Sequence, residues 1–177
     1  MEKMNAITFA KTGHVLGVLT RASQADEAAS ATQVAEGGFR LRDSKGNNII
    51  VEIPEDEIRV SLVDYDTRVL YQPYLFALEE GKPVQKTDAS PPNLDVTLNG
   101  THITATLPNN VSEPTDVWCQ ISGGGLTEVI VRPVTIPGTS AVPTDSATEE
   151  LLLGAGSYKV AMFAPEYAVA VFTEMVP

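Results

Sequence analysis

The chain has 177 residues, 43% of them hydrophobic, with a single cysteine and 12 Lys and Arg against 23 Asp and Glu, a net charge of −11. That length holds one large domain or two small ones with a packed core. The charge disfavours an anionic membrane surface and, in the second half, the basic cluster that nucleic acid needs, and the lone Cys119 excludes an intrachain disulfide or a cysteine-based zinc site.

The acidity is uneven. Residues 1–90 carry 10 bases and 14 acids, net −4; residues 91–177 carry only Arg132 and Lys159 against 9 acids, net −7. Met1–Phe9 has no apolar run of leader length, and no later run approaches a membrane span. The expected location is therefore the cytoplasm or an assembled particle, with no signal peptide. Asn99-Gly100-Thr101 and Asn110-Val111-Ser112 match the glycosylation acceptor pattern. Without evidence of secretion, a removed leader or another export route staying open, they read as chance matches in turns.

In chain order, Ala6–Phe9 and Val15–Leu19 flank Lys11-Thr12-Gly13 and predict a strand pair. Ala22–Glu36 has Val34 as its only larger apolar residue, so a short exposed helix or a loop is expected, with no core face. Phe39 and Leu41, a turn at Asp43–Asn48, and Ile49, Val51 and Ile53 predict a hairpin with Glu52 outward. Pro54–Glu57 breaks the sheet before an alternating strand at Ile58, Val60 and Leu62. Val69–Tyr71 and Tyr74–Leu78 read as two further strands, and Glu79–Pro83 as a polar turn. Thr87-Asp88-Ala89-Ser90-Pro91-Pro92 is the best linker, which places the boundary near residue 90: a β-rich module over 1–90 and a second module over 91–177.

The second half divides into seven apolar runs: Leu94–Leu98, His102–Leu107, Asp116–Ser122, Thr127–Val134, Ala147–Leu153, Ser157–Phe163 and Ala168–Val176. Turn residues separate them, among them Asn99-Gly100, Pro108-Asn109-Asn110, Gly123-Gly124-Gly125 and Gly154-Ala155-Gly156. Seven short strands at this spacing predict a mainly β chain ending in a Greek-key sandwich.

Leu153-Gly154-Ala155-Gly156-Ser157-Tyr158-Lys159-Val160 resembles the tyrosine corner of immunoglobulin-like and fibronectin-type β-sandwiches. Trp118, on the third run, is similar to the core tryptophan of immunoglobulin domains. The resemblance implies that the Tyr158 hydroxyl bonds back to the corner and that Trp118 lies inside. Strand alternation by itself opposes this, setting Val117, Cys119 and Ile121 on one face and Trp118 with Gln120 on the other. The usual burial of tryptophan favours the inner position. Immunoglobulin-like sandwiches host many roles, so the resemblance carries fold rather than activity.

No catalytic constellation emerges. His14 and His102 lie in or beside predicted strands, without a Gly-x-Ser-x-Gly elbow. Cys119 falls in an apolar strand of an acidic half, the setting of an inert thiol. Gly123-Gly124-Gly125 precedes a strand, not the helix and Lys-Ser/Thr of a phosphate loop, and reads as a flexible turn. Glu55-Asp56-Glu57, Asp64-Tyr65-Asp66, Glu79-Glu80 and Glu149-Glu150 offer hard oxygens. Asp64 and Asp66 form the best pair, because alternate residues of an extended segment share a side. None lies in a calcium-loop pattern, and solvated turns are the simpler account.

No cofactor or metal is expected. Tyr65, Tyr71, Tyr74 and Phe76 cluster late in the first half; alternation puts Tyr74 and Phe76 on one face, which favours core packing. The expectation is a non-enzymatic structural or assembly protein whose interface candidates are Trp118, Tyr65, Tyr71 and Tyr74. Its partners are other protein subunits, copies of itself included. The pairing of a β module with an immunoglobulin-like sandwich resembles accessory, adaptor or decoration subunits of phage-like particles and contractile injection machines. The alternative is a carbohydrate- or cell-surface-binding module, which would show exposed aromatics on one sheet. A carboxylate- or metal-dependent hydrolase would instead need Asp64 and Asp66 to converge with other acids.

Overall fold

Alternating apolar and polar residues fold as antiparallel strands throughout the described part of the chain, residues 2–20, 38–43, 47–88 and 93–177 of a computed structural model. Strands take 61% of these residues and helical turns 7%. The chain divides into two units: Met1–Leu41, Asn48–Asp88 and Glu166–Val169 form the first; Arg42–Asn47, Ala89–Pro165 and Ala170–Pro177 form the second. The boundary expected near residue 90 and the segment Ala22–Glu36 lie outside the described residues.

In the first unit, β1 (Lys3–Phe9) is the middle strand of a three-stranded sheet, between β2 (Val15–Thr20) and β5 (Ile58–Asp64). Met4 to Phe9 are buried on both faces. Met4, Ala6, Val15, Val63, Val69 and Phe76 form a core cluster. The β1–β2 register shifts between Ile7 and Thr8, where Leu16 is the extra residue, and Gly17 beyond it lies against Ile7 and Phe39. Two further strand pairs follow, β3 (Phe39–Arg42) with β4 (Asn48–Val51), in which Arg42 is counted with the second unit, and β6 (Phe76–Glu79) with β7 (Lys82–Gln85). Gly13 has φ +74°, and a Cβ there would stand 2.7 Å from Leu78 O. The Leu78 N–H donates to Gly13 O at 2.8 Å, so this position requires glycine.

Two expectations in this unit are corrected. Val69–Tyr71 is not a strand but the end of α1 (Thr67–Tyr71), because Asp66 Oδ1 accepts the Arg68 N–H and caps a helical turn. A 3-10 turn at Pro73–Leu75 then precedes β6. Glu79–Pro83 is a tighter turn than expected: Glu80 and Gly81 carry it at positive φ, and Lys82 and Pro83 already belong to β7.

The second unit has two antiparallel sheets, an arrangement compatible with a β-sandwich. One has the order β11 (Ile130–Pro137), β10 (Pro114–Gly123), β13 (Gly156–Phe163), β14 (Ala170–Val176); the other β12 (Thr144–Glu150), β9 (His102–Val111), β8 (Asp95–Leu98). Period-two alternation buries Val96 and Leu98, Ile103, Ala105 and Leu107, Val117, Cys119 and Ile121, and Tyr158, Val160 and Met162. At the edge, Arg132 of β11 reaches across to β12, donating from Nη2 to Glu149 Oε2 and from Nη1 to Glu150 O, each at 2.8 Å. The turn expected at Pro108-Asn109-Asn110 is instead the end of β9. Its pairing with β12 skips from Thr106 to Val111, so the missing N–H of Pro108 breaks no ladder bond. The strand expected from Thr127 starts at Ile130, with Pro133 tolerated because β11 is an edge.

Candidate functional site

The segment from Tyr65 to Tyr74 carries three of the four interface candidates. Tyr65 follows β5, and its N–H donates to Glu2 O, leaving the side chain 41% exposed. Tyr71 ends α1 with 76% of its surface exposed. Tyr74 stands in the 3-10 turn, half-buried, and its carbonyl accepts the Val169 N–H. Alternation across Tyr74 and Phe76 does not apply, since Tyr74 is outside the strand; Phe76 alone enters the core.

Arg68 was missed by sequence reasoning. It sits one helical turn before Tyr71, so the two side chains share a face. Asp66 pins its guanidinium through Nε at 3.2 Å and Nη2 at 2.7 Å, and the group lies 5.8 Å from the Phe76 ring centroid. The readable signal was an Asp two residues before an Arg at a helix start. The pairing holds the Asp66 carboxyl below its ordinary value and raises Arg68.

Trp118 occupies the position that alternation assigned, not the one the resemblance implied. Val117, Cys119 and Ile121 are fully buried on the inner face of β10, and Trp118 points to the other face, half-buried, with Pro133 and Phe163 as its cross-strand neighbours. The expectation of an inner Trp118 is therefore corrected. Backbone pleat decides orientation, and Cys119 cannot be turned outward without exposing Val117 and Ile121.

The remaining polar candidates serve the fold. His14 is buried; its Nε2–H donates to Tyr167 O at 2.8 Å, and Nδ1 lies 2.6 Å from Thr12 Oγ1. Burial pushes the Cys119 thiol up to about 12, far from the thiolate a nucleophile needs. Asp64 pairs with Lys3 at 2.5 Å, which lowers its carboxyl from the ordinary value, while Asp66 turns to Arg68. The two acids thus serve separate cations. Among the described residues no three His, Cys, Asp or Glu side chains are grouped to hold a metal ion, and no helix is long and apolar enough to cross a membrane.

Tyr158 is 1% exposed, and its hydroxyl donates to Gly154 O, four residues back, at 2.7 Å. Gly123-Gly124-Gly125 forms the turn after β10, packed at its first two residues against Ser157 and Tyr158. All three residues have positive φ, Gly124 N–H donates to Ser157 O, and a Cβ on Gly124 would overlap the Tyr158 ring. No protein-family model matches this chain, and neither does any curated protein or solved structure.

Proposed function

We propose that this chain is a non-enzymatic structural or assembly protein, an accessory or adaptor subunit that docks on other protein subunits of a larger particle. The observation that carries the reading is the presentation of Tyr71, 76% exposed, one helical turn from an Arg68 already locked by Asp66. An arginine paired before binding loses less side-chain freedom on docking, and tyrosine and arginine are both over-represented where binding energy concentrates. The second unit is read as a fibronectin-type, immunoglobulin-like Greek-key sandwich that serves as scaffold. Its four-plus-three strand order and the Tyr158 hydroxyl on Gly154 O support that reading. The carbohydrate-binding alternative called for aromatics along one sheet; Tyr65, Tyr71 and Tyr74 all lie outside strands.

A photo-crosslinking residue placed at position 71 in the producing cells tests this, with position 97, an exposed strand site, as control. A discrete protein adduct from position 71 alone is expected. Identical adduct patterns from both positions, or none from either, would refute the proposed surface.

A further inference from the structure

The turn between β8 and β9 runs through Asn99-Gly100-Thr101, and its donors converge on one atom. Asn99 Oδ1 accepts the His102 N–H at 2.8 Å, the Thr101 N–H at 3.1 Å and the Thr101 hydroxyl at 3.1 Å. Two backbone N–H groups aimed at the same atom identify it as the amide oxygen. Thr101 Oγ1 also lies 2.9 Å from His102 Nδ1. With the hydroxyl proton given to Asn99, the imidazole Nδ1–H donates to Thr101.

A carbonyl oxygen held by three donors leaves its carbon electron-poor, the same physics as an oxyanion hole. The nucleophile that closes a five-membered ring on that carbon is the next backbone nitrogen. Here that nitrogen belongs to Gly100, which has no Cβ to crowd the closure, and this is the only Asn-Gly pair in the chain. The Leu153 and Leu151 N–H groups hold Gly100 O and Thr101 O at 2.9 Å, so the turn's carbonyls are engaged while the Gly100 nitrogen stays outside the turn's hydrogen bonds. Asn99, Thr101 and His102 are exposed to water.

We propose that Asn99 is a self-modifying site. Gly100 N attacks Asn99 Cγ and gives up its proton to solvent; Nδ2 takes a proton from water, the Cγ–Nδ2 bond breaks and ammonia leaves, forming a succinimide. Water then adds to either ring carbonyl and opens the ring as aspartate or isoaspartate. The balance needs water alone. Either product puts a new negative charge beside His102. Isoaspartate also lengthens the main chain at the residue whose N–H donates to His102 O at 3.2 Å, next to the Leu98–Ile103 pair that closes the hairpin.

Peptide mapping by mass spectrometry, after incubating the intact chain at mildly alkaline pH, reads the reaction site by site. Deamidation at Asn99 should outpace that at Asn109 and Asn110 in β9. Thr101→Val should slow it by about tenfold, less than the loss in a water-excluded oxyanion hole because this turn is wet. Thr101→Ser keeps the hydroxyl and should react at the wild-type rate. The proposal is overturned if Asn99 reacts no faster than Asn109 and Asn110, if Thr101→Val leaves the rate unchanged or raises it, or if the valine and serine variants behave alike.

Discussion

Tyr158 concentrates several constraints on one side chain. Its ring is covered by Gly124, and its hydroxyl bonds to Gly154 O in a buried setting. Tyr158→Phe keeps the packing and removes the bond, so it should cost about 1 kcal/mol, seen as a lower urea midpoint at unchanged slope. Gly124→Ala meets both the ring and a φ of +59°. Overpacking of about 1–3 kcal/mol and a left-handed penalty of about 1–2 kcal/mol make it the more damaging change. Gly125→Ala, at φ +80° with open space around it, should show only the second cost in the same titration. Glu174 tests a different force. Partial burial, with Asp95 nearby, raises its carboxyl above the ordinary 4.5, against the Leu98 N–H that favours the charged form. A group raised in the folded state adds stability that is complete below 4.5 and is lost as pH rises through its folded value. Glu174→Gln should therefore be more stable than wild type at neutral pH, with the difference shrinking in acid. Parallel melting curves across pH check the sign.

At the scale of elements, β10 shows that the pleat sets the face of each side chain while local cover sets its exposure. Three alternate inner residues fix its orientation, and Trp118 follows on the opposite face, half-buried where Gln120 and Ser122 are buried. The emission of this sole tryptophan should be intermediate and open to quencher. Trp118→Ala should cost less than the roughly 3–5 kcal/mol of a core aromatic, while Ile121→Ala, fully buried, should fall in the range of about 2–5 kcal/mol. Equal losses at the two positions would contradict the half-buried placement. α1 illustrates the converse. Five residues containing Val69 have weak helical preference, and what makes them a helix is the Asp66 cap together with Val69 entering the core.

For the whole molecule, the first unit is not a contiguous stretch of chain. Glu166–Val169 belong to it: Thr87 N–H donates to Glu166 O, Ala168 N–H to Thr87 O, and Tyr167 O accepts from buried His14. A fragment ending at Asp88 lacks these four residues and strands the His14 donor, a penalty of about 1–3 kcal/mol for that group alone. Its urea transition should fall at lower concentration than that of the same unit in the intact chain, or lose cooperativity. A fragment of undiminished stability would mean that Glu166–Val169 contribute nothing to the unit.

Sequence alone was sufficient for several features that neighbours along the chain decide. Alternation of apolar residues revealed the mainly β class, the strands at Ala6–Phe9, Leu94–Leu98 and Ser157–Phe163, and the grouping of Val117, Cys119 and Ile121 on one face, because the pleat is local geometry; that this face is the inner one was decided by the structure. The bond from the Tyr158 hydroxyl to Gly154 O was implied by resemblance, and its donor and acceptor are only four residues apart. Other features rest on contacts between residues distant in sequence. Arg132 finds Glu149 only across two sheets, and β9 runs through Pro108 only because the β12 ladder skips there. The four residues that complete the first unit come from the far end of the chain. Of the candidate surface, the tyrosines could be read as residue types, but their exposure could not. Tyr71 stands clear of the core and Phe76 fills it because a capped turn of helix, stabilised by tertiary burial of Val69, replaced the strand that local pattern implied.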